Sequence, residues 1–144
     1  MKGAYPTFIK QVGKDFLVYV PDWDNCTSGE SLEDAISMGR DMIGVLGITY
    51  EDEGKEFPKP SDYKMALEKA KKDKEVMDFS DGILTMIDVD FTEYRRQMDN
   101  RAVRKNCTVP YWMTVEADKV GLNYSKVLQD AIARLLNLNY NVGK

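Results

Sequence analysis

The stretch from Val103 to Leu136 constrains the fold more than any other part of this chain. Val103-Arg104-Lys105-Asn106-Cys107-Thr108-Val109 has strand composition with polar residues at alternate positions. Pro110 must then stop the strand or open a helix, where its missing N–H costs nothing. Tyr111 to Val120 reads as a helix with Trp112, Val115 and a candidate third, the stem of Lys119, turned inward, until Gly121 supplies a left-handed stop. Asn123 is suited to cap a second helix, in which Tyr124, Val127, Leu128, Ala131, Ile132, Leu135 and Leu136 keep helical spacing. A piece this short has too little interior to be stable alone. Two copies can pair their strands and bury both helix pairs together, so the segment is expected to be an obligate dimer.

Strand, helix, glycine, cap and helix is the order of a ribbon-helix-helix protomer, whose two-stranded ribbon fits the DNA major groove. Strand alternation selects the faces. Cys107 and Val109 are expected in the dimer core with Trp112, Val115, Leu128, Ile132 and Leu135, leaving Arg104, Asn106 and Thr108 to reach base edges. Arginine pairs bidentately with guanine, asparagine with adenine, and threonine can donate, accept or touch a thymine methyl. Lys105 breaks the pattern, and near the strand's start its ammonium would snorkel outward. At the second helix start, Asn123, its cap, and the amides of Tyr124, Ser125 and Lys126 are expected to contact a backbone phosphate, with the side chains of Ser125 and Lys126 assisting. The alternative for both features is a polar surface that simply faces water.

The N-terminal half has different grammar. Tyr5 to Lys10 and Phe16 to Val20 are rich in β-branched and aromatic residues around a Gly13-Lys14-Asp15 turn, which predicts a β-hairpin ended by Pro21-Asp22-Trp23-Asp24-Asn25. Ser31 and Asp34 resemble a capping box, after which Leu32, Ala35, Ile36, Met42, Ile43 and Leu46 lay one apolar stripe on a helix that should fade near Gly47. Residues 51–60 read as a polar loop, and Ser61 as the cap of a short charged helix through about Lys74. In the strand from Gly82 to Phe91, Ile83, Thr85, Ile87, Val89 and Phe91 make one apolar face while Asp88 and Asp90 turn the other acidic. Three strands and two helices would make a small α/β layer. Thr92 to Arg101 reads as a charged linker compatible with a helix.

Charge is divided along the same line. Residues 1–91 carry 11 Lys and Arg against 19 Asp and Glu, whereas residues 92–144 carry 9 against 5. A basic tail on an acidic body suggests that only the tail meets a polyanion. The two cysteines, Cys26 and Cys107, fall in different modules, so neither a disulfide nor a zinc site has spacing to recommend it. Histidine is absent, which removes the commonest general base and metal ligand. No cofactor, metal or catalytic residue is expected. The apolar runs are far shorter than the roughly 20 residues a bilayer span needs. Met1 to Pro6 lacks the apolar core of a secretory signal, so the expected location is the cytoplasm.

The C-terminal run from Val103 through Pro110, followed by Gly121-Leu122-Asn123-Tyr124-Ser125-Lys126-Val127-Leu128-Gln129-Asp130-Ala131-Ile132, resembles the ribbon-helix-helix tail of HicB antitoxins. Tyr5-Pro6, Val20-Pro21-Asp22-Trp23, Ser28 to Ala35 and Phe57-Pro58-Lys59-Pro60-Ser61 occur in an order similar to the HicB N-terminal domain, a degraded RNase H-like fold. The resemblance implies an α+β chain: a toxin-binding domain over 1–91, a linker over 92–101 and a ribbon-helix-helix module over 102–144. It further implies an antitoxin that binds and masks a HicA-type mRNA-cleaving toxin, represses its own operon at operator DNA, and assembles as a homodimer or larger through its C-terminal module. An acidic domain suits a basic toxin, because complementary charge speeds encounter. Asp22, Trp23, Asp24 and Glu30, near the strand-to-helix loop, are the candidate toxin contacts.

Two other functions compete. A stand-alone ribbon-helix-helix repressor could use the acidic domain to sense a small molecule. An active RNase H-like nuclease would need carboxylates such as Asp15, Asp22, Asp24, Asp88 and Asp90 to converge on divalent cations. Their sequence positions, in a turn, beyond a strand end and on a solvent-side face, argue against convergence.

Overall fold

The computed structural model describes residues 1–72 and 77–140. The predicted end of the charged helix near Lys74 therefore lies outside the described residues. The chain divides into two compact units, Met1–Arg101 and Ala102–Lys144.

In the first unit, β1 (Lys2–Val12) and β2 (Asp15–Val20) form the predicted hairpin, with Gly13 at φ +63° in the turn. A 3-10 turn over Pro21–Trp23 follows, and left-handed Asp24 (φ 45°) reverses the chain into β3 (Asn25–Gly29), which adds to the free edge of β2. That strand was not expected. Pairing with β4 (Ile83–Asp90) completes an antiparallel sheet in the order β3-β2-β1-β4. Pro6 lies in β1 beyond the last β2 pair, Phe8 with Tyr19, and opposite Met86, so its missing N–H breaks no rung toward β2.

Both faces of this sheet are covered, because alternate residues of the central strands are apolar on both sides. Tyr5, Ile9, Val18, Val20, Ile87 and Val89 pack on α1 (Leu32–Asp52) with Trp23 and Phe91. Phe8 and Tyr19 point the other way, onto Ala66 and Ala70 of α2 (Tyr63–Lys72) and onto Phe79. Fully burying each such side chain is worth about 1.5–3 kcal/mol.

Helix α1 begins as predicted. Ser31 Oγ accepts from the Asp34 N–H at 3.1 Å, and the Asp34 carboxylate accepts from the Glu30 N–H at 2.9 Å. It does not fade at Gly47. Gly44 and Gly47 are buried flats on which the rings of Tyr94 and Phe91 rest, and the helix runs on to Asp52. Gly54 ends it at φ +66°, with the Lys55 N–H returning to Tyr50 O (2.8 Å) and the Gly54 N–H to Glu51 O (3.1 Å). At α2 the cap is Asp62, whose Oδ1 accepts from the Met65 N–H, and not Ser61.

The predicted linker also needs correction. Phe91–Met98 is helix α3, capped by Asp90 and fastened to α1. The Tyr94 hydroxyl donates to Asp41 at 2.6 Å, and the Arg95 guanidinium donates to Glu51 and Asp52, both at 2.9 Å, and to Ile48 O. With Phe91 fully buried, these residues belong to the first unit. No helix among the described residues is long and apolar enough to cross a membrane.

Candidate functional site

In the second unit, residues 102–110 form no strand within one chain and are exposed throughout. Pro110 precedes α4 (Tyr111–Lys119), and its carbonyl accepts the N–H groups of Met113 and Thr114. Gly121, at φ +64°, closes α4: its own N–H reaches Asp118 O (3.2 Å) and the Leu122 N–H reaches Ala117 O (3.1 Å). Asn123 then caps α5 (Tyr124–Leu135), its side chain accepting from the Lys126 N–H at 3.1 Å. Asn137 takes the same left-handed role after α5 (φ 52°), returning the Leu138 N–H to Ala133 O at 2.9 Å. Pro110, Gly121 and Asn123 therefore act in this unit as their positions in the sequence imply.

Arg104, Asn106 and Thr108 are all exposed, but so are Lys105, Cys107 and Val109, so exposure in one chain does not separate the two rows. A cavity of about 590 Å³ does so in part. Lys105, Cys107 and Val109 line it beside Tyr124, Ser125 and Leu128; Arg104 and Asn106 do not, whereas Thr108 joins the lining. The residues expected to form a dimer core carry much apolar surface in the single chain: Trp112 is 66% exposed, Ile132 44%, Leu128 38% and Leu135 84%, with Val115 half-buried.

At the start of α5 the expected phosphate cradle is one amide poorer than anticipated. The Lys126 N–H is committed to Asn123, which leaves the Tyr124 and Ser125 amides and the Ser125 and Lys126 side chains to turn to an anion. The Tyr124 hydroxyl is also tied, donating to Asp118 at 3.1 Å; its pKa is raised by desolvation first and then by that carboxylate.

Two of the four candidate toxin contacts are interior. The Asp22 side chain is 0% exposed and holds the Ser61 hydroxyl, the Ser61 N–H at 2.8 Å and Lys69 Nζ at 2.7 Å. Trp23 is 5% exposed within a ring cluster, 5.4 Å from Tyr5, 5.1 Å from Tyr50 and 5.6 Å from Phe57. Its indole N–H finds no acceptor among the described residues. These two side chains anchor the loop and cannot present themselves to a partner. Asp24 and Glu30 are exposed.

Four of the five carboxylates weighed for nuclease chemistry have other occupations. Asp22 serves Ser61 and Lys69, Asp24 accepts from the Tyr19 hydroxyl, Asp88 pairs with Arg40 at 3.1 Å, and Asp90 caps α3. Asp15 opens β2 in an exposed position. Among the described residues no group of three or more His, Cys, Asp or Glu side chains could hold a metal ion.

Sequence reasoning missed β3 and the docking of α3. For α3 a signal existed: Phe91, Tyr94, Arg95 and Met98 recur at helical spacing.

None of the curated proteins matches the chain. Among solved structures, a chain of a toxin–antitoxin complex from Streptococcus pneumoniae is similar at TM-score 0.58 and 27% identity, over 93% of this chain and 99% of that one. The antitoxin HicB of Burkholderia pseudomallei is similar at TM-score 0.46 and 21% identity, over 93% and 96%. The family described as HicB-like antitoxin of bacterial toxin–antitoxin systems matches residues 5–135, and this chain belongs to it.

Proposed function

We propose that the chain binds and neutralises a small, basic, HicA-type mRNA-cleaving toxin through its N-terminal unit and represses its own operon through a dimer of its C-terminal unit. The N-terminal assignment is supported by charge, since residues 1–101 carry 14 Lys and Arg against 21 Asp and Glu. Of the four candidate toxin contacts, Asp24 and Glu30 are the ones whose side chains are exposed.

One observation carries the C-terminal assignment. A polar and apolar alternating segment enters two capped helices whose spaced apolar residues, from Trp112 to Leu135, stay exposed until something covers them. A second copy covers them by symmetry and turns two lone segments into a ribbon, with no change in either helix pair. In that ribbon Arg104, Asn106 and Thr108 read base edges, while the Tyr124 and Ser125 amides with Lys126 hold a phosphate. The dimer core then comprises Cys107, Val109, Trp112, Val115, Leu128, Ile132 and Leu135.

Co-expression with the product of the neighbouring reading frame tests neutralisation: that product alone arrests growth, and the full chain rescues it. Continued growth arrest, with the two proteins failing to co-purify, overturns it. A chain that remains monomeric at micromolar concentration overturns the repressor half.

A further inference from the structure

Within the first unit, among the described residues, the outer edge of β4 is long and is covered at its Asp88 end, where Arg40 takes the outward carbonyl. The β1·β4 register runs without a bulge from Lys2 opposite Asp90 to Ile9 opposite Ile83, and continues into a bond from the Phe91 N–H to Met1 O at 3.0 Å. Antiparallel pairs alternate between bonded and non-bonded rungs, so Ile83, Thr85, Ile87 and Val89 spend their backbone groups on β1 while Leu84, Met86 and Asp88 turn theirs outward. Arg40 confirms the direction, since its Nε reaches the outward carbonyl of Asp88 at 3.0 Å.

Proteins usually blunt such an edge with proline, lysine, a bulge or a short strand. β4 has eight residues, Ile-Leu-Thr-Met-Ile-Asp-Val-Asp, and none of these devices. The opposite edge, β3, has five residues and closes directly into the Ser31 cap. Along β4, Ile83 and Met86 are each 57% exposed, on opposite faces of the sheet, and the Asp88 side chain is 83% exposed.

We propose that the outer edge of β4 from Leu84 to Asp88 is where the toxin docks, by adding a β-strand with basic side chains antiparallel or parallel to it. This rests on the neutralisation reading above and moves the contact away from Asp24 and Glu30, which flank the opposite edge strand β3. Main-chain bonds would supply affinity, and Met86 and Ile83 would supply apolar contact on the two faces. Charge selects the occupant. Asp81, Asp88 and Asp90 beside the edge are each paired within the chain, with Lys10, Arg40 and Lys2, so the selection rests on the unit as a whole, whose 21 Asp and Glu against 14 Lys and Arg attract a cationic strand and repel a second acidic copy.

The test uses the full chain and the toxin encoded beside it. Met86→Pro removes an outward N–H and no rung to β1, so circular dichroism stays that of the wild type while toxin binding weakens about 100-fold. Met86→Lys keeps the backbone and sets a cation against the incoming strand, weakening binding about tenfold, and it decides the matter if the proline variant does not fold. Folded Met86→Pro, or Met86→Lys where the former fails, binding toxin like the wild type overturns the inference and leaves neutralisation standing. Loss of the chain's own oligomeric mass with toxin binding intact assigns the edge to a second copy and overturns it too. Wild-type chain that fails to bind toxin overturns neutralisation and this inference together.

Discussion

The buried carboxylate of Asp22 accepts both the backbone N–H and the hydroxyl of Ser61, 39 positions away, and so ties the turn after β2 to the entrance of α2. Lys69 completes the arrangement from within α2, where its side chain is 40% exposed. Truncation leaves the half-buried Ser61 amide without its acceptor. Asp22→Ala is therefore expected to lose about 2 kcal/mol, with the Lys69 share discounted for its solvent contact. Urea denaturation measures the loss, and Asp22→Asn, which keeps one acceptor, should lose less. Equal stability of Asp22→Ala and the wild type would show the network to be ornamental.

Tyr94 carries the pH dependence of α3 docking. Its phenol pKa is raised well above the ordinary tyrosine value by burial first, then by the hydrogen bond to Asp41 and that group's charge. A raised pKa means that the stabilisation is fully present below the unfolded value of about 10 and is lost as pH rises through the folded one. Absorbance titration should show a tyrosine ionising after the others, and Tyr94→Phe should remove that late step. A titration unchanged by the substitution would refute the assignment.

Two glycines should respond to alanine for different reasons. A methyl at Gly47 would enter the space of the Phe91 ring inside a closed core, costing about 1–3 kcal/mol by overpacking. A methyl added at Gly121 would meet no non-neighbouring atom within 4 Å, but φ is +64°, so Gly121→Ala meets only backbone strain of about 1 kcal/mol. Thermal unfolding of the two variants separates the causes: Gly47→Ser should be worse than Gly47→Ala, whereas Gly121→Asn should recover much of the Gly121→Ala loss, since asparagine tolerates left-handed backbone. Asn137 already occupies that conformation.

How legible these features were depends on whether their cause is local. The hairpin, the Ser31 cap, the Gly121 stop and the Asn123 cap rest on residues a few positions apart, and sequence spacing carries them. β3 does not: Asn25-Cys26-Thr27-Ser28-Gly29 has turn composition and becomes a strand because β2 offers a free edge. Gly47 reads as a breaker until Phe91, 44 positions later, is seen to need its flat surface. Asp22 and Trp23 read as loop residues because their partners, Ser61, Lys69, Tyr50 and Phe57, come from distant segments. Among the proposed base readers, Arg104 and Asn106 stay clear of the cavity that Thr108 lines, a distinction alternation alone does not make.

That distinction gives the proposed DNA contacts an order. Asn106 sits mid-segment with an amide that can pair bidentately with adenine, so Asn106→Ala should cost about 1–3 kcal/mol against the operator and little against random DNA. Lys126, in the first turn of α5, offers charge and no base-specific geometry. Lys126→Ala should weaken operator and random DNA alike and make the slope of log affinity against log salt shallower by about 0.9 for each phosphate no longer neutralised. Thr108→Ala should fall between wild type and Asn106→Ala, since Thr108 also lines the cavity beside Tyr124 and Leu128. Gel-shift competition at two salt concentrations distinguishes these behaviours. If Asn106→Ala lowered affinity uniformly and changed the salt slope as Lys126→Ala does, the polar row would be gripping phosphates, and base recognition would have to come from another surface.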